Sequence, residues 1–152
     1  MRLTNFTFDS SVEIGTDGRH RYLDMHNIYA WQGVFYFSDQ RRVRMSWLLP
    51  PVSSFGPHAK YVQDLPGGFV LEFRGVSRFA ATPHDPELPY TEDTCLDGAT
   101  FTPEGEHSDS GTGRKVFRVD VGYITFTFRS GFCITIWAEE AELILDRMPN
   151  TY

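Results

Sequence analysis

The chain has 152 residues, of which 41% are hydrophobic and 22% are charged, and this length and balance fit one domain that folds without a disulfide or metal staple. The formal net charge is −6, from 20 acidic and 14 basic side chains, which argues against a nucleic-acid-binding protein because such proteins need a basic face.

No stretch approaches the ~18 apolar residues of a membrane helix, and the first residues lack the build of a secretory signal. The two cysteines, Cys95 and Cys133, show neither a CxxC motif nor metal-ligand spacing. We therefore expect a cytoplasmic protein with free thiols, no cofactor and no membrane association.

Strand-like alternation begins near the N terminus. Phe6 and Phe8 alternate with polar residues, as do Val12 and Ile14, before a turn-forming TDGR sequence. This pattern predicts short strands joined by a turn.

The sequence HRYLDMH, residues 20–26, contains candidate metal ligands. In an extended strand, Asp24 and His26 project from one face two residues apart, so both could reach one ion. His20 shares this face but lies roughly 13 Å from Asp24 at strand rise. An acid–His pair also suits general acid–base catalysis, whereas a solvent-facing strand side explains the same residues without any site.

RVRMSWLL (residues 42–49) and FVLEFR (residues 69–74) give clear alternation over a whole strand. The positions expected to face the core are Val43, Met45, Trp47, Leu49, Phe69, Leu71 and Phe73. Tyr36 and Trp137 fall out of phase with the apolar positions of their strands, so they are the candidates for exposed rings that stack on sugars.

Five acidic side chains fall within thirteen residues: Asp85, Glu87, Glu92, Asp93 and Asp97. The DxDxDG order of a calcium loop is absent. The segment is interpreted either as a solvated loop or as a contact surface for a basic protein partner, since complementary charge speeds association.

The sequence EGEHSDSGTGRK, residues 104–115, is rich in glycine and serine. It meets neither the GxxxxGK[ST] pattern of a phosphate-binding loop nor the GxSxG pattern of a nucleophile elbow. We expect a connection between two strands. No Ser/His/Asp triad is recognisable in the rest of the chain, and the preferred function involves no catalytic residue.

The C-terminal third, VFRVDVGYITFTFRSGFCITIW, predicts a three-stranded meander. A two-residue Gly122-Tyr123 loop would place Phe126 opposite Val119; the alternative is one long strand bulged at Gly122. A three-residue loop over residues 129–131 would place Phe126 opposite Ile134, with Gly131 in the left-handed position.

The fold class predicted is all-β: a single antiparallel β-sandwich or partly open barrel of roughly eight to ten strands, forming one domain over residues 1–152. Residues 138–147, rich in Glu and Ala, fit either a two-turn helix or a final strand.

LEFRGVSRF (residues 71–79) and YITFTFRSGFCITIWAEEAELI (residues 123–144) resemble small bacterial β-domains of uncharacterised families, including immunity proteins of polymorphic-toxin systems. The resemblance covers about half of the chain. It implies a non-catalytic role in binding a partner protein, and it carries over no functional residue.

The function predicted is therefore that of a non-catalytic cytoplasmic protein-binding module, of the immunity-protein type that the resemblance implies. One alternative is a β-sandwich that binds a small ligand or carbohydrate. A second is a metal-dependent enzyme using Asp24 and His26. Fold class alone does not separate these functions, because β-sandwiches host all three.

Overall fold

A computed structural model describes residues 1–8, 12–16, 22–108 and 116–145, without the side chains of 106–108 and 116–119. Its strands are β1 (Arg2–Thr4), β2 (Phe6–Phe8), β3 (Glu13–Thr16), β4 (Tyr22–Asp24), β5 (Ala30–Phe37), β6 (Arg42–Leu48), β7 (Gly68–Arg74), β8 (Arg78–Thr82), β9 (Leu96–Thr102), β10 (Gly105–Ser108), β11 (Val116–Val119), β12 (Tyr123–Phe128), β13 (Cys133–Trp137) and β14 (Glu140–Leu145). The helical segments are one α-helix, α1 (Ala59–Val62), and the 3-10 segments Ser38–Gln40, Val52–His58 and Tyr90–Thr94.

The described strands form four open sheets. The five-stranded sheet has the order β1-β14-β7-β6-β5, and the four-stranded sheet has the order β8-β13-β12-β9. Two smaller sheets are β2-β3-β4 and β10-β11. All pairings are antiparallel except β1 with β14, which is parallel. The all-β prediction is confirmed, and the fold is sandwich-like.

The core lies between the inner faces of the two large sheets. The ring centroids of Trp47 and Phe126 lie 6.0 Å apart, and those of Phe73 and Phe126 lie 6.3 Å apart at nearly a right angle. Phe6 and Ile14 of the three-stranded sheet join this cluster. Aromatic rings bridge the two sheets well because each buries a large apolar area and packs on a pleated surface.

Alternation predicted the buried faces of β6 and β7 correctly. The apolar positions named from the sequence in these strands are all buried. On β7, however, Glu72 is also buried, at 5% exposure, although its position faces away from the core. Its burial comes from neighbouring arginine side chains, which a strand pattern does not reveal.

The prediction of a C-terminal meander is confirmed at one turn and wrong at the other. Ile124 pairs with Ile136 and Phe126 with Ile134, with Gly131 at φ +78°, as the three-residue loop required. The Gly122-Tyr123 hairpin does not form, because β11 pairs with β10 while β12 pairs with β9. The alternative of one long bulged strand is also wrong, since the chain leaves one sheet and enters another between Val119 and Tyr123.

Residues 140–145 are a strand and not a helix. β14 lies between β7 and β1 in the five-stranded sheet, so its apolar side reaches the core through Ala141 and Leu143. Arg2 and Thr4 of β1 both hydrogen-bond to Glu140, and these bonds hold the pKa of that carboxyl below its usual range. The strand count of fourteen among the described residues exceeds the eight to ten expected, because several strands have only three or four residues.

In the described part of the chain, no helix has both the length and the apolar character to cross a membrane.

Candidate functional site

The acidic loop, residues 85–97, covers most of the connection between the edge strands β8 and β9 of the four-stranded sheet, and its last two residues belong to β9. Its backbone is tied to the β12–β13 turn at both ends: the Asp85 amide donates to the Ser130 carbonyl at 2.8 Å, and the Arg129 amide donates to the Cys95 carbonyl at 3.0 Å. The 3-10 turn at Tyr90–Thr94 adds a further internal bond, from the Glu92 amide to the Pro89 carbonyl. The loop therefore has a defined backbone conformation.

The five carboxylates of the loop have different environments. Asp85, Glu87 and Asp97 are exposed, whereas Glu92 and Asp93 are half-buried. The Asp85 carboxylate accepts a hydrogen bond from the Glu87 amide at 3.0 Å, which closes a local turn. Within the described ranges, no group of three or more His, Cys, Asp or Glu side chains is arranged to hold a metal ion.

A histidine at the start of the loop organises the half-buried part. The Nδ1 of His84 donates to the Asp93 Oδ1 at 3.0 Å, and the His84 side chain is only 10% exposed. Its ring stacks on Tyr90, with centroids 4.2 Å apart and planes 12° apart. The His84 Nε2 is buried and has no hydrogen-bond partner among the described residues.

The same arrangement presents apolar groups to solvent. Tyr90 is 77% exposed and Leu88 is 39% exposed. One face of the Tyr90 ring stacks on His84, and most of the remaining side chain is exposed. Exposed rings that stack in this way are typical anchors of protein–protein interfaces.

Asp24, one member of the candidate metal pair, has both carboxylate oxygens engaged in a turn. The Asp24 Oδ1 accepts hydrogen bonds from the amides of His26 and Asn27, and its Oδ2 accepts one from the Asn27 side chain. Asp24 thus ends β4 by closing a turn, a common role for Asp at such positions. His20 lies outside the described residues.

The His26 ring faces the acidic loop instead. Its Nδ1 donates to the Leu96 carbonyl and lies 3.9 Å from the Cys95 Sγ. Because that nitrogen carries a proton directed at the carbonyl, it does not accept one from the thiol. Cys95 and Cys133 are both free thiols.

The two aromatic residues proposed for sugar stacking do not form one platform. Tyr36 is 46% exposed and stacks on Phe79, on the core side of β8. Trp137 lies on the outer side of the same sheet, where the Arg78 guanidinium sits 4.6 Å from its ring centroid. The two rings therefore contact opposite faces of β8.

A charged cluster on the outer face of the five-stranded sheet was not predicted. Glu72 lies within 4 Å of three guanidinium groups: Arg74 at 2.9 Å, Arg44 at 3.2 Å and Arg42 at 3.8 Å. Arg74 also pairs with Glu142 at 2.7 Å, and its pKa is raised, chiefly by the hydrogen bond to Glu72.

Two of these features escaped sequence analysis for different reasons. His84 and Asp93 are nine residues apart in a loop, where no periodicity relates side chains. The Glu72 cluster joins three strands at equivalent register, so it could have been found only from the alternation on β6 and β7 together with their pairing.

No family model, no curated protein and no solved structure matches this chain. The site is therefore interpreted from its own geometry.

Proposed function

We propose that this protein is a non-catalytic protein-binding module of the cytoplasm, and that its acidic loop binds a basic surface on a partner protein. The observation that carries the proposal is the ring of Tyr90, which is 77% exposed and stacks on a nearly buried His84. The proposal keeps the immunity-like role that the sequence resemblance implies.

Charge supports the choice of partner. Residues 83–97 contain five carboxylates and neither lysine nor arginine. Such a segment attracts a basic partner and speeds its association, and it repels acidic competitors. The exposed members, Asp85, Glu87 and Asp97, would form the polar rim of the contact.

Preorganisation supports a binding role over a merely solvated loop. Fixing a loop and its side chains upon association opposes binding, by about 0.5–1.5 kcal/mol for each immobilised side chain. Here the backbone is already tied to Ser130 and Arg129, and Tyr90 is already stacked. Tyr90 and the neighbouring Leu88 would supply the apolar centre that tight interfaces require.

The test compares the wild type with three variants as bait for the partner protein. The partner is first identified by crosslinking in the source cells and then purified. In the loop variant, Asp85→Asn, Glu87→Gln and Asp97→Asn remove three exposed charges. In the matched control, Asp39→Asn, Asp64→Asn and Glu104→Gln remove three exposed charges elsewhere.

We expect the loop variant to slow association markedly and the matched control to have little effect. Tyr90→Ala should instead raise the dissociation rate, weakening binding by roughly tenfold to a hundredfold. The proposal fails if no protein is captured, or if the partner binds the loop variant and the control equally well. A protein that retains partner binding in all of these variants uses a different surface.

A further inference from the structure

A cleft of about 480 Å³ lies on the outer face of the five-stranded sheet, away from the acidic loop. Its floor is one row of the sheet, in which Ser46 pairs with Val70 and Val70 pairs with Ile144. One wall is Arg44, which belongs to the next row of the sheet; at the other end is Leu48, half exposed. The volume falls in the range of small-molecule sites.

The floor and the wall differ in chemistry. Val70 and Ile144 give the floor an aliphatic surface, and Leu48 extends it. The Arg44 end is polar, with the Ser46 hydroxyl and the Gln32 side chain nearby. A ligand that fills this cleft must therefore have an apolar body and a polar end.

Arg44 is positioned to bind an anion. Its Nε lies 3.2 Å from the Glu72 carboxylate. The Arg44 side chain is 43% exposed, so part of its guanidinium remains accessible to a ligand. Two parallel N–H groups in a guanidinium match the two oxygens of a carboxylate.

The local charge balance indicates a singly charged anion. Arg42, Arg44 and Arg74 surround Glu72, and Glu142 binds Arg74. Three positive and two negative groups leave one positive charge, in a protein whose net charge is −6. A monocarboxylate at Arg44 would neutralise it.

We propose that this cleft is a binding site for a small aliphatic monocarboxylate, whose carboxylate pairs with Arg44 while its chain lies on Val70 and Ile144. The site is separate from the acidic loop, so it does not depend on the partner-binding role. It gives a specific form to the small-ligand alternative, at residues other than Tyr36 and Trp137.

The test titrates octanoate into the full chain by calorimetry, and follows the amide resonances of β6, β7 and β14 in parallel. Butanoate carries the same carboxylate on a much shorter chain, whereas 1-octanol has the full-length chain without the charge. We expect octanoate to bind at least about tenfold more tightly than either, since each lacks one of the two contacts.

Three variants locate the site. Arg44→Gln should weaken octanoate binding by about tenfold or more, and Arg78→Gln, on the outer face of the other sheet, should leave it unchanged. Val70→Phe fills the floor and should weaken binding with Arg44 intact, which keeps the test valid if Arg44→Gln unfolds. The loop variant described above should bind octanoate like the wild type.

Absence of octanoate binding at millimolar concentration overturns the proposal. So does equal binding of octanoate and 1-octanol, or undiminished octanoate binding by folded Arg44→Gln, because either result would indicate apolar adsorption without recognition of the carboxylate.

Discussion

Replacing Glu72 by glutamine tests whether the buried carboxylate holds the arginine cluster together. Glutamine keeps the shape of the side chain, so the change removes charge without creating a cavity. Arg42, Arg44 and Arg74 would then face one another with only Glu142 among them. Breaking a fully buried ion pair destabilises a protein by 3–5 kcal/mol.

The expected loss is smaller, because the three guanidinium groups are 33–48% exposed and water screens their repulsion. We expect Glu72→Gln to lower the free energy of unfolding by about 2 kcal/mol. In a chain of this size that corresponds to a drop of roughly 4–8 °C in the melting temperature. In urea, with an m value of about 2 kcal/mol/M, the midpoint should fall by about 1 M.

Glu139→Gln is the matched control, since the Glu139 side chain is 72% exposed and its ion pair with Arg41 is long, at 3.4 Å. It should change stability by less than about 0.5 kcal/mol. Added salt should recover part of the Glu72→Gln loss, because the arginine repulsion is screened. Equal urea midpoints for the two variants would show that hydration alone offsets the repulsion among the three arginines, and would refute a stabilising role for the Glu72 carboxylate.

Two further predictions concern a turn and a buried phenol. Gly131→Ala should destabilise the protein by about 1–2 kcal/mol, because Gly131 has φ +78° while its nearest neighbour, the Asp85 Cβ, leaves room for a methyl group at 3.5 Å. Gly131→Asn, measured by the same urea titration, should recover part of this loss because Asn tolerates the left-handed conformation; equal loss in both would contradict a purely conformational cause. Tyr29 is 3% exposed and donates to the Pro66 carbonyl, and burial raises its pKa above the usual range. The contribution of the neutral Tyr29 phenol to the free energy of unfolding is complete below the unfolded pKa of about 10. It declines as the pH rises toward the folded pKa, by up to about 1.36 kcal/mol per pH unit. Ultraviolet titration of the folded chain, which has seven tyrosines, should therefore show a tyrosine that ionises late. Tyr29→Phe should remove both this late ionisation and the corresponding loss of stability at alkaline pH. A wild-type titration without a late-ionising tyrosine would contradict this.

The register of the β12–β13 hairpin could be predicted because both of its determinants are local. The alternation of Ile124, Phe126 and Phe128 fixes which side chains face the core, and Gly131 supplies the one conformation that a three-residue loop needs. A slip of one residue would expose the whole apolar set. The same local logic gave the inner faces of β6 and β7.

The candidate site was only partly predictable. The sequence showed that acidic residues are concentrated in this loop. It did not indicate that Asp93 accepts a hydrogen bond from His84, or that Asp85, Glu87 and Asp97 remain exposed. Nor did it indicate that Tyr90 would stack on His84. These contacts depend on the path of a proline-rich loop, which no periodic pattern describes.

The sequence by itself determined that the chain is all-β and which side of its central strands is apolar, because side chains alternate across a strand whatever its neighbours are. Only the tertiary structure decided which strands are neighbours. β11 pairs with β10 in place of β12, and β1 lies parallel to β14, where Arg2 meets Glu140 from 138 residues away. An apolar face shows that one side of a strand is buried, but it does not specify which strands lie beside it. That choice depends on the packing of the whole chain.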